Sequence, residues 1–309
     1  MTAALREIAK TTLAVISTGK LVANGLVYDL RPSLTQSTVQ TAYYTPDSLL
    51  STWHSRGQAQ PDPVSGQTVI DILNSTTLAA ARNAGLNGRK PPIAILNFAS
   101  AEQPGGGFIN GASAQEESIA RSSTLYASLM TPTAQQFYTL HSGDARDGFY
   151  THAMVYSPRV VIFRTDDGAS AVPMEVDVLT SPAVYAALVR KYSEGDPEAE
   201  ITRVMRERMA RILFLFERRQ VRNIILGSFG TGMFENDVDT VAAIWAELLC
   251  GPRARFRHSF AYVAFAVMDD ATYVQFRRAF DKARELNLMA IIFDGPGLEA
   301  DAGFLISNH

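Results

Sequence analysis

Residues 104–126 read PGGGFINGASAQEESIARSSTLY, and this stretch decides the fold class. Gly105, Gly106 and Gly107 stand in a row, and Gln115-Glu116-Glu117 follows after seven further residues. Three adjacent glycines are costly in backbone entropy. They fit a turn that no side chain can enter, or a backbone that lies flush against a ligand. Ahead of them runs Ile93-Ala94-Ile95-Leu96, ending in Asn97-Phe98, and behind them a helical pattern starts at Ser113. Strand, glycine loop and helix start in that order mark the place where α/β proteins hold ligands.

The two glutamates carry different readings. Ser113-Ala114-Gln115-Glu116 matches the S-x-x-E capping box, with Ser113 as N-cap and Glu116 reaching back to its amide. Glu117 is not explained by the cap. A first-turn acid also gains from the helix dipole, so on the residues alone both a structural and a catalytic role stay open for it.

Gly-Gly-Gly, seven residues and Gln-Glu-Glu, flanked by Asn97-Phe98-Ala99-Ser100 and Arg121-Ser122-Ser123-Thr124-Leu125-Tyr126, resembles the signature of poly(ADP-ribose) glycohydrolases of the bacterial and fungal type. The resemblance implies a macrodomain-like α/β/α fold and hydrolysis of the ribose–ribose O-glycosidic bond, releasing ADP-ribose without metal or cofactor. It makes Glu117 the general acid and then base, and Glu116 the partner of ribose hydroxyls. Gln115, the three glycines, Asn97, Phe98 and Ala99 are implied to line the substrate. A second stretch, Gly227-Ser228-Phe229-Gly230-Thr231-Gly232-Met233-Phe234-Glu235-Asn236-Asp237, follows a buried strand and opens a helix. It is neither a Walker A loop nor a Rossmann loop, since its glycines run G-x-x-G-x-G. Read alone it is a tight turn or a diphosphate cradle. Beside the first loop it resembles the second ligand-holding loop of a macrodomain, adding Ser228, Gly230, Thr231 and Gly232 to the site, and Phe229 with a core role as its alternative. Phe234 matches the family's aromatic at the ribose, and Phe265 is a candidate for the adenine, with a core role as its alternative.

Around these loops strands and helices alternate. Val69–Leu73, Ile93–Phe98, Ala153–Tyr156, Val160–Arg164, Val176–Leu179, Asn223–Leu226, Phe260–Val267 and Met289–Phe293 read as strands. Residues 2–17, 76–83, 113–130, 133–140, 197–219, 237–250 and 271–286 read as helices. This alternation predicts a three-layer α/β/α mixed sheet. Residues 31–68 show little periodicity and read as loop with one helix at Pro46–Trp53. Gly57–Gly66 is the linker candidate. The division expected is an N-terminal, largely helical extension over residues 1–65, packed on a catalytic core over residues 66–309.

Composition narrows the class. Hydrophobic content of 47% and charged content of 19% are those of an ordinary globular chain. A net charge of −3 argues against direct DNA binding, which calls for a basic stripe. The partners that the resemblance implies are poly(ADP-ribose) or an ADP-ribosylated protein, and the product ADP-ribose. Arg6, Glu7 and Lys10 interrupt the first apolar pattern, so it reads as an amphipathic helix, and no apolar run has membrane-spanning length. The single cysteine, Cys250, excludes an internal disulfide and suits an intracellular location. His54, His141, His152, His258 and His309 lack metal-ligand spacing and read as surface or capping residues. Asp269-Asp270 reads as an N-cap. Two alternatives to the glycohydrolase are a reader that binds ADP-ribose without cleaving it, and a hydrolase of another ADP-ribosyl linkage.

Overall fold

The computed structural model describes residues 2–55, 68–142 and 147–293. In chain order, α1 (Thr2–Thr18) leads into a hairpin of β1 (Lys20–Ala23) and β2 (Leu26–Asp29), followed by α2 (Arg31–Gln40) and β3 (Ala42–Tyr44). Then come β4 (Val69–Leu73), α3 (Thr77–Leu86), β5 (Ile93–Phe98), α4 (Gln115–Ser122), α5 (Leu125–Leu129) and α6 (Pro132–His141). The strands β6 (Met154–Arg164) and β7 (Ser170–Ser181) precede α7 (Ala186–Tyr192) and α8 (Glu198–Arg218). The described chain closes with β8 (Asn223–Gly227), α9 (Val238–Leu249), β9 (Tyr262–Ala266) and α10 (Asp270–Phe293).

Seven strands form one mixed sheet in the order β3-β6-β7-β5-β8-β9-β4. From β7 to β4 the neighbours run parallel, while β6 and β3 are added antiparallel at one edge. Apart from Asn97, the central strand β5 is apolar, because both its faces are covered. Ala94 and Leu96 enter one core with Met209, Phe216, Trp245 and Phe276 of α8, α9 and α10. Ile93 and Ile95 enter the other with Leu78, Ile119, Leu129 and Phe137. The period of two along the strand thus sorts its side chains into two layers.

The alternating pattern of the sequence accounts for the layers, but several bounds differ. Residues 31–44 are not loop: they form α2 and the edge strand β3. α2 has no apolar stripe of its own and is held by packing on β6, with Leu30 and Leu34 against Val161 and Phe163. The helix expected at Pro46–Trp53 is only a single 3-10 turn, Leu49–Thr52. The helix expected over 113–130 breaks at Ser123-Thr124, where Ser123 bridges Ile162 and the Thr124 amide donates to the Val161 carbonyl. The two strands expected at 153–164 are one strand with an irregularity between Ser157 and Val160. The strand expected at Met289–Phe293 is the end of α10, since a short apolar run has no period to tell strand from helix. The expected linker Gly57–Gly66 lies outside the described residues.

Candidate active site

Both glycine loops leave the carboxyl ends of adjacent parallel strands, β5 and β8, which pair through Ile93, Ala94 and Ile95. Beyond Ile95 that pairing stops. The Gln115 side chain takes over: its Oε1 accepts from the Phe98 amide at 2.9 Å, and its Nε2 donates to the Leu96 carbonyl at 2.7 Å. The same Nε2 donates to Thr77 Oγ1 at 3.1 Å. Gln115 is therefore not free for substrate. It is a strand substitute that bolts the start of α4 to β5.

This anchoring aims the next two residues inward. Glu116 is 3% exposed and accepts from the Ser100 amide at 2.6 Å and from Asn97 Nδ2 at 3.2 Å. The capping box expected from Ser113 does not form, because the Glu116 carboxyl is spent on β5 and the loop after it. Ala114 occupies the N-cap position without a side-chain hydrogen bond. Burial pushes Glu116 up to about 8, against the opposing pull of its hydrogen bonds to Ser100 and Asn97. It therefore holds its proton at neutral pH.

Glu117 Oε1 accepts from the Gly107 amide at 2.9 Å, and its Oε2 is buried without a partner. Although adjacent helical positions diverge by about 100°, both carboxyls converge on Gly106. A Cβ there would lie 2.3 Å from Glu117 Oε1 and 3.1 Å from Glu116 Oε2. Gly106 also has φ +59, in the left-handed region. The middle glycine makes room for carboxylates as well as for a turn. Arg121, one turn further along α4, holds the loop by donating to the Ala112 carbonyl and to Ser118 Oγ.

The second loop folds back on itself, Asn236 donating to the Gly230 carbonyl through both its amide and its side chain. Gly230, at φ +77, lies so close to Ala183 and Asn236 that a Cβ would meet them at 2.3 and 2.7 Å. The Ser228 carbonyl accepts from the amide and hydroxyl of Thr231, and Gly232 faces open space. Phe234 stacks on Tyr185 at 4.7 Å and 18°, with Tyr150 at 6.1 Å. Asn97 Oδ1, Glu117 Oε2, Ser181 Oγ and Asn236 Oδ1 are all buried without partners. Such orphans are uncommon in folded proteins. Here they gather around the carboxyl ends of β5, β7 and β8, as a polar ligand site requires.

The family model for the microbial-type PARG catalytic domain matches residues 9–165. The chain belongs to the microbial-type poly(ADP-ribose) glycohydrolase (PARG) family. It is 37% identical to the PARG of Thermomonospora curvata, covering 91% of this chain and 99% of that one with a TM-score of 0.80. The structure of that enzyme bound to the inhibitor ADP-HPD matches with a TM-score of 0.79. The PARG of Deinococcus radiodurans in complex with ADP-ribose is 34% identical, covering 81% of this chain and 98% of that one with a TM-score of 0.72. Comparison with curated proteins gives no match.

Within this PARG chain, Asn97, Phe98, Ala99, Gly105, Gly106, Gly107, Glu116 and Glu117 share one loop region, with Ser228, Gly230, Thr231, Gly232 and Phe234 in the adjoining one. Two expected residues fall elsewhere. Phe265 is fully buried among Trp245, Phe276 and Phe280, so it has no face for adenine and is core. Phe229 is also fully buried, packed 5.5 Å from Phe98, and supports the loops from below. His141 is neither surface nor cap. It is fully buried, with Nδ1 at the Phe137 carbonyl and Nε2 at Thr151. His152 is pushed down to about 3, first by burial and then by Arg208. Among the described residues no group of three or more His, Cys, Asp or Glu is placed to hold a metal ion, and no helix is long and apolar enough to cross a membrane. Tyr150, Tyr185 and Arg208 were invisible to sequence reasoning, because nothing local ties them to either glycine loop.

Proposed function

We propose that this chain hydrolyses the ribose–ribose O-glycosidic bond of poly(ADP-ribose) and releases ADP-ribose. The observation that carries the reading is the buried, unpartnered Glu117 Oε2 beside a carboxyl that keeps its proton. A proton passes from the Glu117 carboxyl, acting as general acid, to the leaving ribose oxygen. The glycosidic C–O bond breaks and positive charge develops at the anomeric carbon. Water then attacks that carbon and gives up its proton to Glu117, which now acts as base. Glu116 orients ribose hydroxyls, and Asn97 orients Glu116. The amides of the second glycine loop take the diphosphate, which lets a chain of net charge −3 bind a polyanion locally. Phe234 packs on the ribose.

In this reading residues 1–65 act as an extension packed on the core of residues 66–309, and the fold is a macrodomain. α1 lies on the catalytic loop: Arg6 Nε donates to the Asn110 carbonyl at 2.9 Å, and Thr12 Oγ1 to the Arg121 carbonyl at 2.5 Å. That position favours a pocket closed beyond the terminal ribose, and release from the chain end. An intracellular compartment, ADP-ribosylated protein as a partner and a part in reversing ADP-ribosylation, including the DNA damage response, belong to the same reading. Incubation with poly(ADP-ribose) and chromatography of the products tests it. Appearance of ADP-ribose supports it; an intact polymer that remains bound points to a non-catalytic reader.

A further inference from the structure

Arg208 is fully buried in α8, yet no carboxylate pairs with it among the described residues. Burial first, and then the charge of another cation, Arg211, push it down to about 9. An unpaired buried cation costs several kcal/mol, on the order of what a buried ion pair loses when one partner is removed. Such a cost calls for a return elsewhere in the structure.

Its hydrogen bonds show where. Nη1 donates to the Pro182 carbonyl at 3.1 Å, and Nη2 to the carbonyls of Phe149 at 2.8 Å and Tyr150 at 3.2 Å. These carbonyls belong to two segments distant in sequence, 148–150 and 182–185. The segments are also joined directly, the Tyr185 amide donating to the Gly148 carbonyl at 2.7 Å. Tyr150 sits at φ 50, a left-handed conformation that a bulky residue keeps only when its surroundings enforce it. The second segment grips the glycine loop in turn: Asn236 Nδ2 donates to the Val184 carbonyl at 2.7 Å and to the Gly230 carbonyl at 3.0 Å. Both tyrosines reach Phe234, and all three rings are only half-buried.

We propose that Arg208 is a positioning residue for substrate binding: its guanidinium holds Tyr150 and Tyr185 against Phe234, and so sets the aromatic wall of the ADP-ribose site. Its planar fork is what the task needs, since one guanidinium reaches three carbonyls on two segments. A lysine keeps the charge but has a single nitrogen, and a methionine fills the volume and leaves the carbonyls unpaired. Removing the fork loosens the wall without touching the carboxyls, so affinity falls and the chemical step stays.

The inference rests on the proposed function, and calorimetric titration with ADP-ribose separates the two. Wild-type protein that fails to bind ADP-ribose overturns the functional reading and this inference with it. Given wild-type binding, Arg208→Met is expected to raise Kd for ADP-ribose and KM for poly(ADP-ribose) at least tenfold, with kcat within about threefold. Arg208→Lys should restore part of the affinity. Arg255→Met, which breaks the buried pair with Glu217, serves as a control for lost stability alone and should leave Kd unchanged. Unchanged Kd in Arg208→Met overturns the inference, as does an equal rise in Arg255→Met. Should Arg208→Met fail to fold, Arg208→Lys decides: a rise in Kd of threefold or more is expected, and wild-type affinity overturns it.

Discussion

The Gly107 amide donates to Glu117 Oε1 at 2.9 Å, and this single bond leaves the other carboxyl oxygen, Oε2, buried with no partner. One oxygen is fixed to the loop and the second is free to meet a substrate atom. Glu117→Gln keeps an acceptor for Gly107 and loses the ability to pass a proton. Turnover of poly(ADP-ribose) should fall at least about a hundredfold, while ADP-ribose binding stays within about tenfold of wild type. Near-normal turnover in a rapid-quench assay would remove Glu117 from the chemistry.

Gly106 makes a different prediction from one based on ligand space alone. Its would-be Cβ meets the Glu117 carboxylate at 2.3 Å, and its φ of +59 is unfavourable for any side chain. Gly106→Ala should therefore lower stability by about 1–2 kcal/mol from backbone strain and also cut kcat by displacing Glu117. Denaturant unfolding and initial rates check both halves. A variant that loses only ADP-ribose affinity would mean that the glycine serves the ligand alone.

Glu116 links the site to pH-dependent stability. Its carboxyl titrates at about 8 in the folded chain against a reference of 4.5, so between those values the folded state binds more proton than the unfolded state. Its contribution is fully present below 4.5 and is lost as pH rises through 8, with a slope of up to about 1.4 kcal/mol per pH unit. Glu116→Gln stays neutral throughout. Relative to wild type it should gain stability steadily as pH is raised from 5 to 8. A constant difference across that range would show that Glu116 is ionised in the folded protein.

The position of α1 predicts how products appear. If α1, tied by Arg6 and Thr12 to the glycine loop and to α4, closes the pocket beyond the terminal ribose as proposed, an internal polymer unit has no path through it. Products sized in the first few percent of reaction should be almost wholly monomeric ADP-ribose. Abundant short oligomers at that stage would show a groove open at both ends, and would leave the glutamate roles intact.

Much of this chain was legible from local pattern. The apolar run Ile93–Leu96, the apolar spacing of α8 and the two glycine loops mark the layers and the ligand-bearing end, because an apolar run, a hydrophobic period and glycine need only near neighbours to have effect. The same holds for the Asp269 cap, whose Oδ2 accepts from the Thr272 amide at 2.9 Å.

What tertiary structure alone decided were the partners of side chains with more than one use. Ser113 and Glu116 spell a capping box, but Glu116 reaches the Ser100 amide and Asn97 because Gln115 bolts the helix to β5. α2 carries no amphipathic signal and is helical by virtue of its packing on β6. Phe265 and Phe234 are both aromatics near strand ends, and only burial separates the core ring from the one at the site. Arg208 lies 58 residues from Tyr150 and 26 from Pro182. A contact made across such distances leaves no period in the sequence, because it exists only once the sheet has brought three separate segments to one edge.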